Sequence, residues 1–405
     1  MNEPLGHDPR LRATLLRIGR LGRLLAGGAL IPLVIGFFLN PVALAQAWLV
    51  GFSFWLELSL GGLALLMLQY QITGRWGFFS RRLLEAIALT LPLLAVLFIP
   101  VILSLHALYP WTDPELVAAS RVLSAKAGYL NIPFFTIRAT LYWAGWIALA
   151  LRLRFWSRRL DQPRFAPAAA VRLARLSAGG LVLWFLTFSF AAVDWWMSLE
   201  PEWFSSIYSV ILMMGQALIA AALVTFALIA LRRRPPLAGL LDRPVLNDLG
   251  NVILAFTMLW TYMAFMQWLI IWNGNLPEDI SWYVRRTRNG WQWFVAALFL
   301  LHFAAPFVVL LSRTAKRNAR VLGGLALLLL AAHLASIWWL IRPAWGTRFH
   351  WLDPIIVIGI GGAWIWLAIR RYLAAPPLPL HDQRFSRLLH DRPPAPALAD
   401  PSPAP

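Results

Sequence analysis

Residues 43–69 read ALAQAWLVGFSFWLELSLGGLALLMLQ, with Glu57 as the single charged residue. A helix rises about 1.5 Å per residue and the hydrocarbon core of a bilayer is about 30 Å thick, so roughly 20 apolar residues in a row cross it. This run therefore reads as a spanning helix. Within it Gln46, Ser53, Glu57 and Gly61 follow one another at spacings of seven, four and four. Those spacings set them on one helix face, which predicts that the face turns toward other helices and away from lipid.

Working outward, comparable runs occur near 24–39, 83–107, 132–153, 177–196, 206–231, 248–272, 291–311, 321–341 and 352–373. The expected fold class is an all-α polytopic membrane protein with about ten transmembrane helices. The chain is 60% hydrophobic and 13% charged, a balance that a soluble domain could not hold without exposing much apolar surface. Many of its 23 Trp residues stand at the ends of the runs, where indole rings anchor at the headgroup level. The first run carries Pro32 and ends at Asn40-Pro41, which predicts a helical hairpin with a tight turn into the second. Ten helices with compact loops suit two four-helix bundles with flanking helices.

The net charge of +18 is not a nucleic-acid footprint, because it forms no continuous basic face. Most of the 36 Lys and Arg residues fall in alternate segments between runs, the positive-inside pattern, and this predicts cytoplasmic N- and C-termini. Residues 1–23 form a basic segment with Arg10, Arg12, Arg17, Arg20 and Arg23, read as the approach to the first helix and not as a cleavable signal. Residues 374–405 form a Pro/Ala-rich tail with too little apolar area to order itself, expected to be disordered. In the long loop 108–131, Asp113 is expected to cap a helix beginning at Pro114 and Glu115 along the outer surface. The absence of cysteine removes thiolate-ligated iron-sulfur clusters, Cys-zinc sites and disulfides.

Ionisable groups near a bilayer centre cost about 2.5–3.5 kcal/mol by insertion scales, so each needs a partner or a wet cavity. Glu57 reads either as a proton relay or quinone-facing acid, or as a protonated, hydrogen-bonded residue that glues helices. Arg138 and Asp194 fall at similar depth. The alternatives for Arg138 are a pair with Asp194, a pair with Glu57, or snorkelling to headgroups. His302 and His333 lie mid-span in adjacent runs; a bis-imidazole haem b is geometrically conceivable but disfavoured against hydrogen bonding or proton relay. Asp248 and Asp353 read as helix N-caps, and Arg285, Arg286 and Arg288 as an exposed outer patch. Glu200, in a Trp-rich turn, is either a solvated charge or a docking contact. No metal site, nucleotide-binding fingerprint or nucleophile motif is present in the sequence.

Several stretches together carry a family resemblance: AGYLNIPFFTIRATLYW (127–143), FAAVDWWMSLEPEWFSSIYSVILMMGQAL (190–218), DLGNVILAFTMLWTYMAFMQWLIIWNGNLPEDISWYVRRT (248–287), GWQWFVAALFLLHFAAPFVVLLSR (290–313) and FHWLDP (349–354). They resemble the smaller of the two NrfD-like polytopic subunits of alternative complex III, the bacterial quinol:cytochrome c oxidoreductase, over most of residues 100 to 355. The resemblance implies an inner-membrane subunit of ten helices in two four-helix bundles. It implies as partners a larger NrfD-like membrane subunit, a periplasmic iron-sulfur subunit and multihaem cytochrome c subunits, which carry the haem c and the clusters. By the same resemblance this subunit contacts quinone or quinol and supports proton translocation, without a complete active site of its own. Arg138, Asp194, Glu200, Gln267 and His302 stand inside matching stretches; Glu57 and His333 rest on the reading of their positions alone.

The leading expectation is thus a membrane subunit of a quinol-oxidising respiratory complex. A secondary transporter would place its site at midplane beside paired helix breaks, which Pro92, Pro100 and Pro306 do not supply. A purely structural scaffold for periplasmic redox subunits is the third reading.

Overall fold

Several helix starts in this chain are written in short polar residues followed by proline, a pairing that satisfies or removes the free backbone N–H groups of a first turn. Asn40 Oδ1 accepts the Ala43 N–H at 2.9 Å, Asn131 Oδ1 that of Phe134 at 3.0 Å, and Asp242 Oδ1 that of Val245 at 3.1 Å. Pro41, Pro133 and Pro244 sit at the first or second helical position behind them. In the computed structural model, which describes residues 8–72, 74–288, 290–346 and 349–378, ten helices are long and apolar enough to span a membrane. They are α1 (Pro9–Leu39), α2 (Pro41–Gln71), α3 (Arg75–Leu103), α4 (Ile132–Leu160), α5 (Ala166–Leu199), α6 (Tyr208–Leu231), α7 (Arg243–Gly274), α8 (Trp291–Leu311), α9 (Ala319–Trp345) and α10 (Leu352–Leu373). The chain is an all-α polytopic membrane protein, and no strand occurs among the described residues.

Every expected span is present, but several helices run longer than their apolar cores. Helix α1 begins at Pro9 and takes in Arg10 to Arg23, and α5 begins at Ala166. Arg and Ala are strong helix formers, so the helices continue past their apolar cores; Asp8 caps α1, and α5 starts behind Phe165 without a side-chain cap. Asp248 is a correction of the same kind: the helix starts well before it, at Arg243, and Asp242, not Asp248, is its cap. Asp353 likewise sits inside α10, buried, and accepts from His350 N at 3.0 Å and Trp338 Nε1 at 3.2 Å. The expected helix after Asp113 is found at Pro114–Ala119, capped by Asp113 Oδ1 on Glu115 N at 2.9 Å. Of the Pro/Ala-rich tail, residues 379–405 lie outside the described residues, as do residues 1–7 of the basic N-terminal segment.

Helices α2 to α5 pack as one four-helix group and α6 to α9 as another, joined along the α2–α6 contact, while α1 and α10 pair with each other and lie against α2 and α3. Helix α2 is the axis: 94% of its most apolar stretch is buried by protein, whereas α1 and α8 bury 17% and give the rest to lipid. Close approach needs residues without side chains. A Cβ on Gly61 would stand 2.0 Å from the Gln216 carbonyl oxygen of α6, and one on Gly362 of α10 would stand 2.3 Å from the Gly22 carbonyl of α1.

Gly61→Ala must push α2 and α6 apart, an overpacking cost of about 1–3 kcal/mol. A lower melting temperature of the detergent-solubilised protein is expected, with Gly27→Ala, which meets nothing within 4 Å, as the unaffected control.

Candidate functional site

The polar face of α2 meets partners on several helices. Gln46 accepts from Arg342 of α9 at 3.3 Å, Ser53 accepts the Trp196 indole N–H of α5 at 2.8 Å, and Gly61 abuts α6. Glu57, with no exposed surface, places Oε2 2.6 Å from His333 Nε2 of α9. The His333 ring fits because α6 carries Gly215 opposite it, where a Cβ would lie 2.7 Å from His333 Cε1. Behind His333 stands His302, fully buried, with ring centroids 5.2 Å apart, and His302 in turn meets the Trp260 ring edge-on at 4.1 Å.

The helix that carries His302 is locally wound as a π-helix over Phe299–Ala304, a rare distortion that recurs at functional sites. Two imidazoles in ring contact, one of them hydrogen-bonded to Glu57, leave no room for a porphyrin between them. The residues present do not fit haem b. They fit a proton-handling cluster better: the acid form Glu57–COOH···N and the ion-pair form COO⁻···H–N⁺ differ by one proton moved across the 2.6 Å contact.

A cavity of about 820 Å³ opens beside this cluster. Its wall runs from Tyr262, Phe265 and Phe299, each more than half exposed on the membrane-facing surface, inward to His333, which is 2% exposed. Most of the wall is aromatic or aliphatic, and its polar groups are few. Gln267 accepts from Ser205 at 2.9 Å and donates to the Tyr283 hydroxyl at 3.2 Å. Burial pushes the Tyr283 hydroxyl up to about 12, so it stays protonated and, having accepted from Gln267, keeps its own O–H to donate. Behind the inner end, Glu57 Oε1, His333 Nδ1, both His302 nitrogens and the Gln216 amide have no hydrogen-bond partner among the described residues. Unsatisfied buried polar atoms cost about 1–3 kcal/mol each and are uncommon in a purely structural core.

Arg138 and Asp194 form a separate site. The guanidinium makes a two-pronged pair with the carboxylate, at 2.9 Å from Nε and 2.8 Å from Nη2, and Tyr142 donates to Asp194 Oδ2 at 2.9 Å. Arg138 also donates to the Tyr129 carbonyl at 2.9 Å and lies over the Tyr129 ring at 3.8 Å. Both alternatives to this pair, with Glu57 or with headgroups, are thereby excluded. Glu200 pairs with Arg285 at 3.0 Å and with Arg286. Arg286 corrects the expected exposed patch: it is 1% exposed, stacked on Trp282 and bonded to the Leu340 carbonyl at 2.8 Å, while Arg285 and Arg288 are exposed. Burial lowers the Arg286 pKa against the pull of Glu200.

The structure thus brings Glu57, His333 and His302 together, sets Gln267 on the same cavity, and keeps Arg138–Asp194 and Glu200 as ion pairs. Sequence reasoning missed Tyr283 and Gln216. Gln216 is the single amide of α6, a signal that stood in plain view. It also missed a buried cluster at the other end of the protein, where Glu85 accepts from Arg81, Arg82 and Arg154 at 3.2, 2.9 and 3.2 Å. The third apolar run starts only at residue 83, so Arg81 and Arg82 read as loop charges although the helix begins at Arg75.

No protein-family model matches the chain, and a search of curated protein sequences returns no match.

Removing one partner of a buried pair strands the other charge and costs about 3–5 kcal/mol, while replacing both costs far less. Arg138→Leu is expected to lower thermal stability sharply, and Arg138→Leu with Asp194→Leu to recover most of the loss; equal melting curves for the single variant and the parent would contradict the pairing.

Proposed function

We propose that this chain is a membrane subunit of a quinol-oxidising respiratory complex of the alternative complex III type, and that its cavity beside His333 receives the quinone or quinol ring. The observation that carries the reading is the juxtaposition of a membrane-open aromatic cavity with the buried Glu57–His333 pair. Its volume falls within the range of small-molecule sites, which are largely apolar with a few placed polar groups. An isoprenoid quinone asks for that combination: an apolar route from lipid, a donor for a carbonyl oxygen and an acceptor for a hydroxyl proton.

In this reading the Tyr283 hydroxyl donates to one ring oxygen, and the other lies toward the His333 ring at the inner wall. Oxidation of a quinol to a quinone releases two protons and two electrons. His333 takes one proton at Nδ1 and passes the one on Nε2 to Glu57, so its own charge is restored, while the second proton, from the ring oxygen beside Tyr283, leaves to water at the cavity mouth. The electrons leave to redox centres on partner subunits, expected to be an iron-sulfur protein and multihaem cytochromes c beside a larger NrfD-like membrane subunit. The distribution of Lys and Arg supports cytoplasmic termini, which sets the α3–α4, α5–α6 and α7–α8 loops, and with them the mouth near Tyr283, on the periplasmic side of the inner membrane.

General acid–base groups contribute about 10²–10⁴-fold to rate. Purification of the tagged chain from its native membrane is expected to bring haem proteins and quinol:cytochrome c reductase activity with it. Glu57→Gln and His333→Leu are expected to reduce turnover by about 10²-fold or more with assembly intact. Undiminished turnover in both would leave a structural scaffold, and a lone, colourless chain would point to transport.

A further inference from the structure

A second cavity, of about 600 Å³, lies on the far side of the α5–α6 loop from the first, between that loop, the α3–α4 loop and the membrane-facing sides of α5 and α6. Its two halves differ in chemistry. Toward the bilayer it is walled by Phe185, Phe190 and Val210, with Phe190 53% exposed to the lipid side. At the helix ends it is walled by Lys126, Trp203 and Ser209. Lys126 reaches from the α3–α4 loop to the Pro201 carbonyl. Trp203 is 3% exposed, stacks on Trp282 at 4.8 Å, and its indole N–H has no acceptor among the described residues.

We propose that this cavity is a binding site for one glycerophospholipid, with the phosphate held by Lys126 and the Trp203 N–H and an acyl chain laid along Phe185, Phe190 and Val210. A buried N–H donor and an ammonium at the membrane boundary ask for an anionic acceptor, and the apolar half asks for hydrocarbon; only an amphiphile supplies both. Burial draws the Lys126 pKa down while Glu202 pushes it back. The site shares no polar ligand with the quinone cavity, and the proposal stands whether or not that cavity binds quinone.

The test is quantitative lipid extraction and native mass spectrometry of the protein, purified with its native partners and then stripped progressively with detergent. The parent is expected to keep a glycerophospholipid that Lys126→Ala and Ser209→Trp both lose, the second by filling the cavity. Melting temperature reports folding of each variant, and Lys126→Ala removes only a half-buried loop side chain. Equal retention of phospholipid in the parent and in folded Lys126→Ala would overturn the proposal. So would loss of a bound quinone, with phospholipid unchanged, in either variant.

Discussion

The contact between Gly61 and the Gln216 carbonyl sets the distance between α2 and α6, and most of the interior follows from that distance. Apolar side chains gain little from leaving lipid for protein, so helix association in a membrane depends on close packing and on polar groups finding partners. With α2 and α6 nearly touching, α2 is surrounded by protein, and Glu57 can lie at mid-membrane without meeting hydrocarbon. Gly215, one residue before Gln216, then opens the space in which His333 reaches Glu57. Two glycines and a carbonyl thus decide where the buried acid and its imidazole partner meet.

The buried polar residues divide into two kinds. Arg138–Asp194–Tyr142 and the cluster of Arg82, Arg154 and Glu85 face each charge with an opposite one at hydrogen-bonding distance. Such groups hold helices in register, and their worth lies in geometry that breaks when one member is lost. Around Glu57 the pattern is different: one strong contact, a second imidazole against the first, and several donors and acceptors with no protein partner beside a cavity. Free nitrogens and oxygens around an imidazole–carboxylate contact are what a proton-accepting ligand site requires.

The number and order of spans were legible because an uncharged apolar run of bilayer length is too long for an ordinary core helix and is stable chiefly in lipid. The inward face of α2 was legible as well, since Gln46, Ser53, Glu57 and Gly61 share a period and each meets a neighbouring helix. Depth alone left Arg138 undecided among Asp194, Glu57 and lipid, because depth fixes a height and leaves the azimuth open. The same blindness put Arg286 on the surface: its neighbours Arg285 and Arg288 are exposed, and only the chain fold brings Glu200 and the Leu340 carbonyl over it. The cavity had no sequence signature, for Tyr283 lies in a connecting segment and Phe299 and Tyr262 come from separate helices.

The proposed function requires a quinone ring between α7, α8 and α9, with His333 at its inner end. Photolabelling native membranes with an azido-quinone, followed by peptide mapping, tests this most directly. Label is predicted on 262–268 and 295–303, lost in competition with unlabelled quinone; label confined to other helices, or label that excess quinone does not displace, would contradict it.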